Sequence, residues 1–79
     1  MTARVYVTLK SGVLDPQGKA VARSLEKLGF SEVADVRLGK FIEVRLPDGD
    51  PGKAKARVEE MCQQLLANTI IEDYRVELA

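Results

Sequence analysis

The sequence predicts a small α+β open-faced sandwich, with two helices on one face of an antiparallel sheet in the order β-α-β(β)-α-β. Three observations lead there. Strict apolar alternation occurs near the start, in the middle and near the end of the 79-residue chain. Between those runs lie two stretches of helical apolar spacing, each opened by Asp-Pro. Two amphipathic helices need a sheet face to cover, so alternating helices and strands in a short chain give one layer of each.

Arg4-Val5-Tyr6-Val7-Thr8-Leu9-Lys10 places Val5, Val7 and Leu9 on one side, which predicts a half-buried strand over 4–10 that stops at Ser11-Gly12. Asp15 is a strong N-cap, and Pro16 suits the first helical position because its missing N–H would have no partner there. Leu14, Val21, Leu25 and Leu28 form one helical stripe with Ala22 beside it, and Gly29 is a natural stop, giving a helix over 15–28. Gly18 lies in the first turns, where it costs up to ~1 kcal/mol relative to Ala. Either a close backbone contact or simple tolerance accounts for it.

Over 33–46, Val36, Leu38, Ile42, Val44 and Leu46 share even parity, broken only by Lys40. One long strand bent at Gly39 fits, and so does a hairpin turning at Gly39-Lys40-Phe41. Both keep the same face apolar, so parity does not choose between them; the long bent strand is our working expectation. Residues 47–52 form a Pro-, Asp- and Gly-rich loop. A second helix is expected over 51–67, with Asp50 as N-cap and Ala54, Val58, Met61, Cys62 and Leu65 as its apolar stripe. Asn68 would end it in the left-handed conformation. Tyr74, Val76 and Leu78 then alternate in a last strand over 71–78. The whole reads as a single domain, 1–79, in a ferredoxin-like arrangement that is either complete or has its two middle strands merged.

Hydrophobic residues make up 46% and charged residues 30%, a globular composition rather than a disordered one. Twelve basic and twelve acidic residues cancel, which argues against a nucleic-acid partner, whose phosphates call for a basic excess. Apolar runs fall far short of the ~20 residues that span a bilayer, and no signal-peptide pattern opens the chain, so a cytoplasmic protein away from membranes is expected. A chain of this size seldom draws more than ~3–5 kcal/mol from its own core. With one Cys and no His, neither an intrachain disulfide nor a tetrahedral metal site can add to that. Partner surface is the remaining supplement.

Catalytic groups are not evident. Nucleophilic catalysis needs an activated side chain with a base in reach, and Cys62 reads as a small core residue. Glu72 and Asp73 are strand neighbours and point to opposite faces; Glu59-Glu60 lies on a wet helix side. Gly12 and Gly18 bracket a strand–loop–helix junction of the kind that holds phosphates, but the spacing matches neither the dinucleotide fingerprint nor the P-loop. A turn plus a cap is the better reading. Lys10, Arg37 and Lys40 converge at one end of the sheet, where solvated charge explains them. The helix-free face carries Arg4, Tyr6, Thr8, Lys10, Arg37, Phe41, Glu43, Arg45, Arg75 and Glu77, a mixture suited to cross-strand ion pairs or to a polar protein interface. The residues by themselves therefore describe a binding module with no catalytic, cofactor or metal site.

Two ordered runs carry a resemblance. Leu9-Lys10-Ser11-Gly12-Val13-Leu14-Asp15-Pro16-Gln17-Gly18-Lys19-Ala20-Val21 is similar to the N-terminal signature of the PurS family, the small subunit of phosphoribosylformylglycinamidine (FGAM) synthase. Cys62-Gln63-Gln64-Leu65-Leu66-Ala67-Asn68-Thr69-Ile70-Ile71-Glu72-Asp73-Tyr74 resembles its C-terminal signature, with Thr69-Ile70 where the family often has Pro-Val. Leu28-Gly29-Phe30, Val36-Arg37 and Gly39-Lys40-Phe41-Ile42-Glu43 continue the match. The resemblance implies a noncatalytic subunit of an ATP-dependent glutamine amido-ligase of purine biosynthesis. It implies a homodimer, or a tetramer, bridging a glutaminase subunit and a synthetase subunit so that ammonia passes between them. ATP and magnesium would belong to the complex and not to this chain. Lys10, Gly12, Asp15, Gln17, Arg37, Lys40 and Tyr74, which match the family runs, are the interface residues it suggests. A free-standing metabolite-binding regulatory domain is the main rival. An acylphosphatase-like enzyme and an RNA-recognition fold fit less well, the former for want of an anion-cradling Arg after the first strand and the latter for want of stacking aromatics.

Overall fold

A computed structural model describes residues 1–79. Its elements are β1 (Thr2–Leu9), α1 (Pro16–Lys27), β2 (Gly39–Arg45), α2 (Pro51–Met61), a π-helical turn (Cys62–Leu66) and β3 (Glu72–Leu78). The sheet is antiparallel with β1 central, in the order β2-β1-β3. Val5 faces Ile42 on one side and Val76 on the other, so the alternating apolar positions of all three strands line one face. The α+β class and the antiparallel sheet are as expected, with one middle strand, β2, in place of two.

Both Asp-Pro helix starts form as the sequence predicts. The Asp15 carboxylate accepts from the Gly18 N–H at 2.8 Å, and that of Asp50 accepts from Gly52 at 2.9 Å, with Pro next in each case. Gly29 closes α1 with φ +100° while the Phe30 N–H reaches back to the Leu25 carbonyl, a Schellman closure. Asn68 behaves otherwise than expected, since no residue but glycine has positive φ. The helix stops at Ala67, which is extended (φ −132°, ψ 144°). Asn68 instead caps the turn into β3: its side-chain oxygen accepts from the Ile70 N–H, and its carbonyl from the N–H groups of Ile71 and Glu72.

Val58 and Cys62 press on Ala3, Val5, Val7 and Val76, and Ala67 closes this core. The expected α2 stripe holds as far as Cys62 and then fails at Leu65, which is 83% exposed. The cause is the π turn, where the Ala67 N–H bonds the Cys62 carbonyl five residues back at 3.0 Å. One extra residue per turn rotates Leu65 outward and brings Leu66 against the core.

Residues 33–38 form neither the long bent strand nor a hairpin. The chain enters β2 without a turn, and regular pairing starts only at Gly39. Two of the amides that a strand neighbour would need are taken by carboxylates: Val36 N–H donates to Asp35 and Leu38 N–H to Asp15, both at 2.9 Å. The outer edge of β2 stays unpaired.

The two helices also differ in what they cover. Only α2 packs on the sheet. Gly18 is the sole buried residue of α1, and Leu14, Val21 and Leu28 on its stripe are exposed, as is Phe30. The molecule measures 49 × 25 × 14 Å with a radius of gyration of 15.9 Å, against about 12 Å for a compact chain of this length. An apolar helix stripe is thus left bare within one chain. So is part of the sheet face it was expected to cover, where Ile42, Val44 and Leu46 are only half-buried beside α2.

Candidate interaction site at the loop end of the sheet

Thr8 pairs with Gly39 on one side and with Asp73 on the other, so the end of β1 and the starts of β2 and β3 meet at one end of the sheet. The seven interface residues expected from sequence stand there or at the base of α1, with Lys40 and Tyr74 on one rung, both opposite Val7. Lys10 Nζ lies 2.7 Å from Asp73 Oδ1. Lys40 Nζ reaches Glu72 Oε2 at 3.8 Å across β1, on the face that carries the core, because Lys40 stands opposite Val7. Lys10, Arg37 and Lys40 stand at the same end of the sheet, the Lys10 pair on the helix-free face and the Lys40 pair on the other. The acidic residues read as solvated charge, Glu72 and Asp73, are the partners of the two lysines. The exposed Lys10–Asp73 pair is worth at most ~1 kcal/mol, so it sets geometry more than stability.

Arg37 lies off the helix-free face, contrary to its expected place. Its guanidinium donates to the carbonyls of Leu9 and Lys10, the latter at 3.2 Å, capping the end of β1. Asp15 accepts at both oxygens, from Gly18 N–H at 2.8 Å and from Leu38 N–H at 2.9 Å. Those two bonds, the Gly18 one first, hold its carboxyl below the usual carboxylate range, and nearby Arg37 adds to the effect. Gly12 forms the exposed turn after β1, and Gln17 stands exposed on the first turn of α1. Tyr74 is the seventh residue. It is half-buried opposite Val7, with its hydroxyl 3.3 Å from Gln63 Nε2.

A recess of about 280 Å³ opens between the Gly12–Asp15 turn and the Asp35–Arg37 segment, with Lys19 at its rim. The Asp15 carboxylate already sits on the α1 N-terminus, so an anion there would meet like charge. A turn plus a cap is what the glycine loop builds. Gly18 is explained by close approach, because a Cβ on it would run into the Val36 carbonyl oxygen and the Asp15 carboxyl.

On the helix-free face, Tyr6 packs on Phe41 with ring centroids 5.2 Å apart, and the Arg75 guanidinium lies 4.4 Å from the centre of the Tyr6 ring. Arg4 stands between Glu43 and Glu77 on the flanking strands. The face thus combines an aromatic–cation centre, with Phe41 53% exposed, and a row of alternating charge, the composition favoured at polar protein interfaces. Cys62 is buried in the core, and burial pushes its thiol above the usual range, helped by the Glu59 charge. No cluster of three or more His, Cys, Asp or Glu side chains is arranged to hold a metal ion, and no helix is long and apolar enough to cross a membrane.

Comparison with known proteins follows the same outline. The PurS family model, described as phosphoribosylformylglycinamidine (FGAM) synthase, matches residues 2–79. Phosphoribosylformylglycinamidine synthase subunit PurS of Bacillus subtilis is 51% identical over 75 residues, covering 95% of this chain and 88% of that protein. The crystal structure of Methanocaldococcus jannaschii PurS, one of the subunits of formylglycinamide ribonucleotide amidotransferase in the purine biosynthetic pathway, superposes with a TM-score of 0.87 at 42% identity, covering 96% of this chain and 92% of that one. A chain of the PurLQS structure from Thermotoga maritima gives a TM-score of 0.87 at 32% identity, covering 96% and 93%. Sequence match over nearly the whole length and a shared backbone agree, and the chain belongs to the PurS family of phosphoribosylformylglycinamidine (FGAM) synthase.

Proposed function

We propose that this chain is the noncatalytic small subunit of FGAM synthase, joining a glutaminase subunit to a synthetase subunit in purine biosynthesis. The observation that carries the reading is the full-length family match, together with a relative whose structure is a three-part PurLQS assembly. Formylglycinamide ribonucleotide, glutamine and ATP would be consumed by the assembled enzyme, with ATP and magnesium held by the synthetase subunit. This chain's part is positional. Holding the ammonia-releasing site against the ammonia-consuming site raises the local concentration of a species that water would otherwise dilute. The cytoplasm, where such an enzyme would work, is the expected location.

The subunit works as a dimer in this reading, and the bare α1 stripe supports it. One chain supplies both an apolar helix face without a sheet and a sheet row, Ile42, Val44 and Leu46, that α2 covers only in part. Beside that row a groove of about 390 Å³ opens between Leu46, Ala54 and Met61. A second copy satisfies both vacancies at once under two-fold symmetry.

The test is glutamine-dependent amidation by purified glutaminase and synthetase subunits, with and without this chain, against an ammonium chloride control. The expected outcome is that glutamine-driven turnover requires the chain while high ammonia bypasses the requirement. Full glutamine-dependent activity without the chain would overturn the reading.

A further inference from the structure

Residues 10–38 leave the end of β1 and return at the start of β2, the strand paired beside it, so both feet of this arm stand at the same end of the sheet. The arm carries α1, which packs on none of the core. Its direction is therefore set at its base or not at all. The contacts at that base are few and specific. Asp15 joins the outgoing leg to the returning one, with one carboxylate oxygen on Gly18 N–H and the other on Leu38 N–H. Arg37, on the returning leg, holds the last carbonyls of the outgoing strand. Gly18 lets the backbone of the first helical turn lie directly against Val36, a contact that any side chain would block.

We propose that Asp15 and Arg37 form a clamp that fixes the angle at which α1 projects from the sheet, pre-organising the arm for association with a second copy. The inference rests on the reading that α1 packs on another chain. Two unclamped legs would let the helix sample many directions, and association would then have to remove that freedom. With the clamp closed, the freedom is removed during folding. The clamp residues are positioning residues; they act through α1 and need not touch the partner.

Asp15→Asn separates the clamp from the helix cap. Asn is as good an N-cap as Asp, so its oxygen keeps the Gly18 bond. Its amide nitrogen then points a donor at the Leu38 N–H, and the second arm of the bridge is lost. The dissociation constant of the oligomer is measured by dilution of fluorescently labelled chain. Amide hydrogen exchange is followed in parallel. For Asp15→Asn the expected result is unchanged helicity and unchanged protection of β1, β2 and β3. Leu38 should exchange faster, and self-association should weaken roughly tenfold, the scale of one charge-assisted bond. Arg37→Gln should weaken association in the same direction. If the parent associates and both variants associate as tightly, the clamp is overturned while the dimer reading stands. If the parent stays monomeric at every concentration, both are overturned.

Discussion

Asp15 accepts two backbone hydrogen bonds with one carboxylate, so its ionisation is tied to the folded state. The lowered folded pKa, caused first by the Gly18 bond and then by that to Leu38, fixes the sign of the pH effect. The unfolded chain holds its proton up to about pH 3.9. The stabilisation is therefore present above that value and is lost as pH falls through the lower folded value. A carboxyl-carbon NMR titration should place the Asp15 midpoint below that of an unstructured Asp peptide, and Arg37→Gln should raise it partway. Gly18 gives a second prediction at this scale. By helix propensity alone Gly18→Ala would stabilise α1 by up to ~1 kcal/mol. The blocked approach to Val36 reverses the sign, and a net loss of about 1–3 kcal/mol is expected, read from chemical denaturation. The sequence left a close contact and tolerance equally open at Gly18, because the facing carbonyl lies 18 residues away and no local pattern announces it.

Among the elements, the π turn decides which leucine matters. Leu65→Ala should change stability by less than about 0.5 kcal/mol, since that side chain is 83% exposed. Leu66→Ala, by contrast, removes a side chain packed on the core and should cost about 2 kcal/mol. Urea melts of the two variants check the order. Periodicity alone pointed the other way, because both positions are leucine and an α-helical count continued past Cys62 puts Leu65 inside. Elements specified by adjacent residues were legible: the alternation of β1 and β3, the Asp-Pro starts, and the Gly29 stop. Residues 33–38 were not, because strand character there depends on a neighbour to pair with, and Asp15 and Asp35 take two of the amides instead. The lysine partners Glu72 and Asp73 were missed for a related reason. The sequence pairs them with each other as neighbours, whereas in the folded sheet they stand opposite Leu9 and Thr8 and their side chains reach Lys40 and Lys10.

For the whole molecule, the bare helix and the half-covered sheet make one prediction between them. Val21→Asp with Leu25→Asp places two charges on the α1 stripe without touching the core of a single chain. The variant should keep its β-sheet circular dichroism, sediment as a monomer, and fail to support glutamine-dependent amidation while ammonia-dependent turnover continues. A monomer that supported full glutamine-dependent activity would show that the arm serves something other than assembly. The antiparallel sheet and the family resemblance were readable from sequence, but the open shape was not. Leu14, Val21, Leu25 and Leu28 spell an apolar stripe, and a stripe does not say which chain will cover it.

The central place of β1 has a consequence for the making of the protein. The earliest of the three strands in the chain is flanked by residues 39–45 and by residues 72–78, with Ala3 opposite Leu78 and Val5 opposite Val76. β1 can pair with residues 39–45 as soon as those have emerged, but its other edge stays open until β3 has been translated and has cleared the exit tunnel. Closure then depends on partners far apart along the chain, the slow kind of folding step. The fold, and any complex built on it, can only be completed after translation has passed β3.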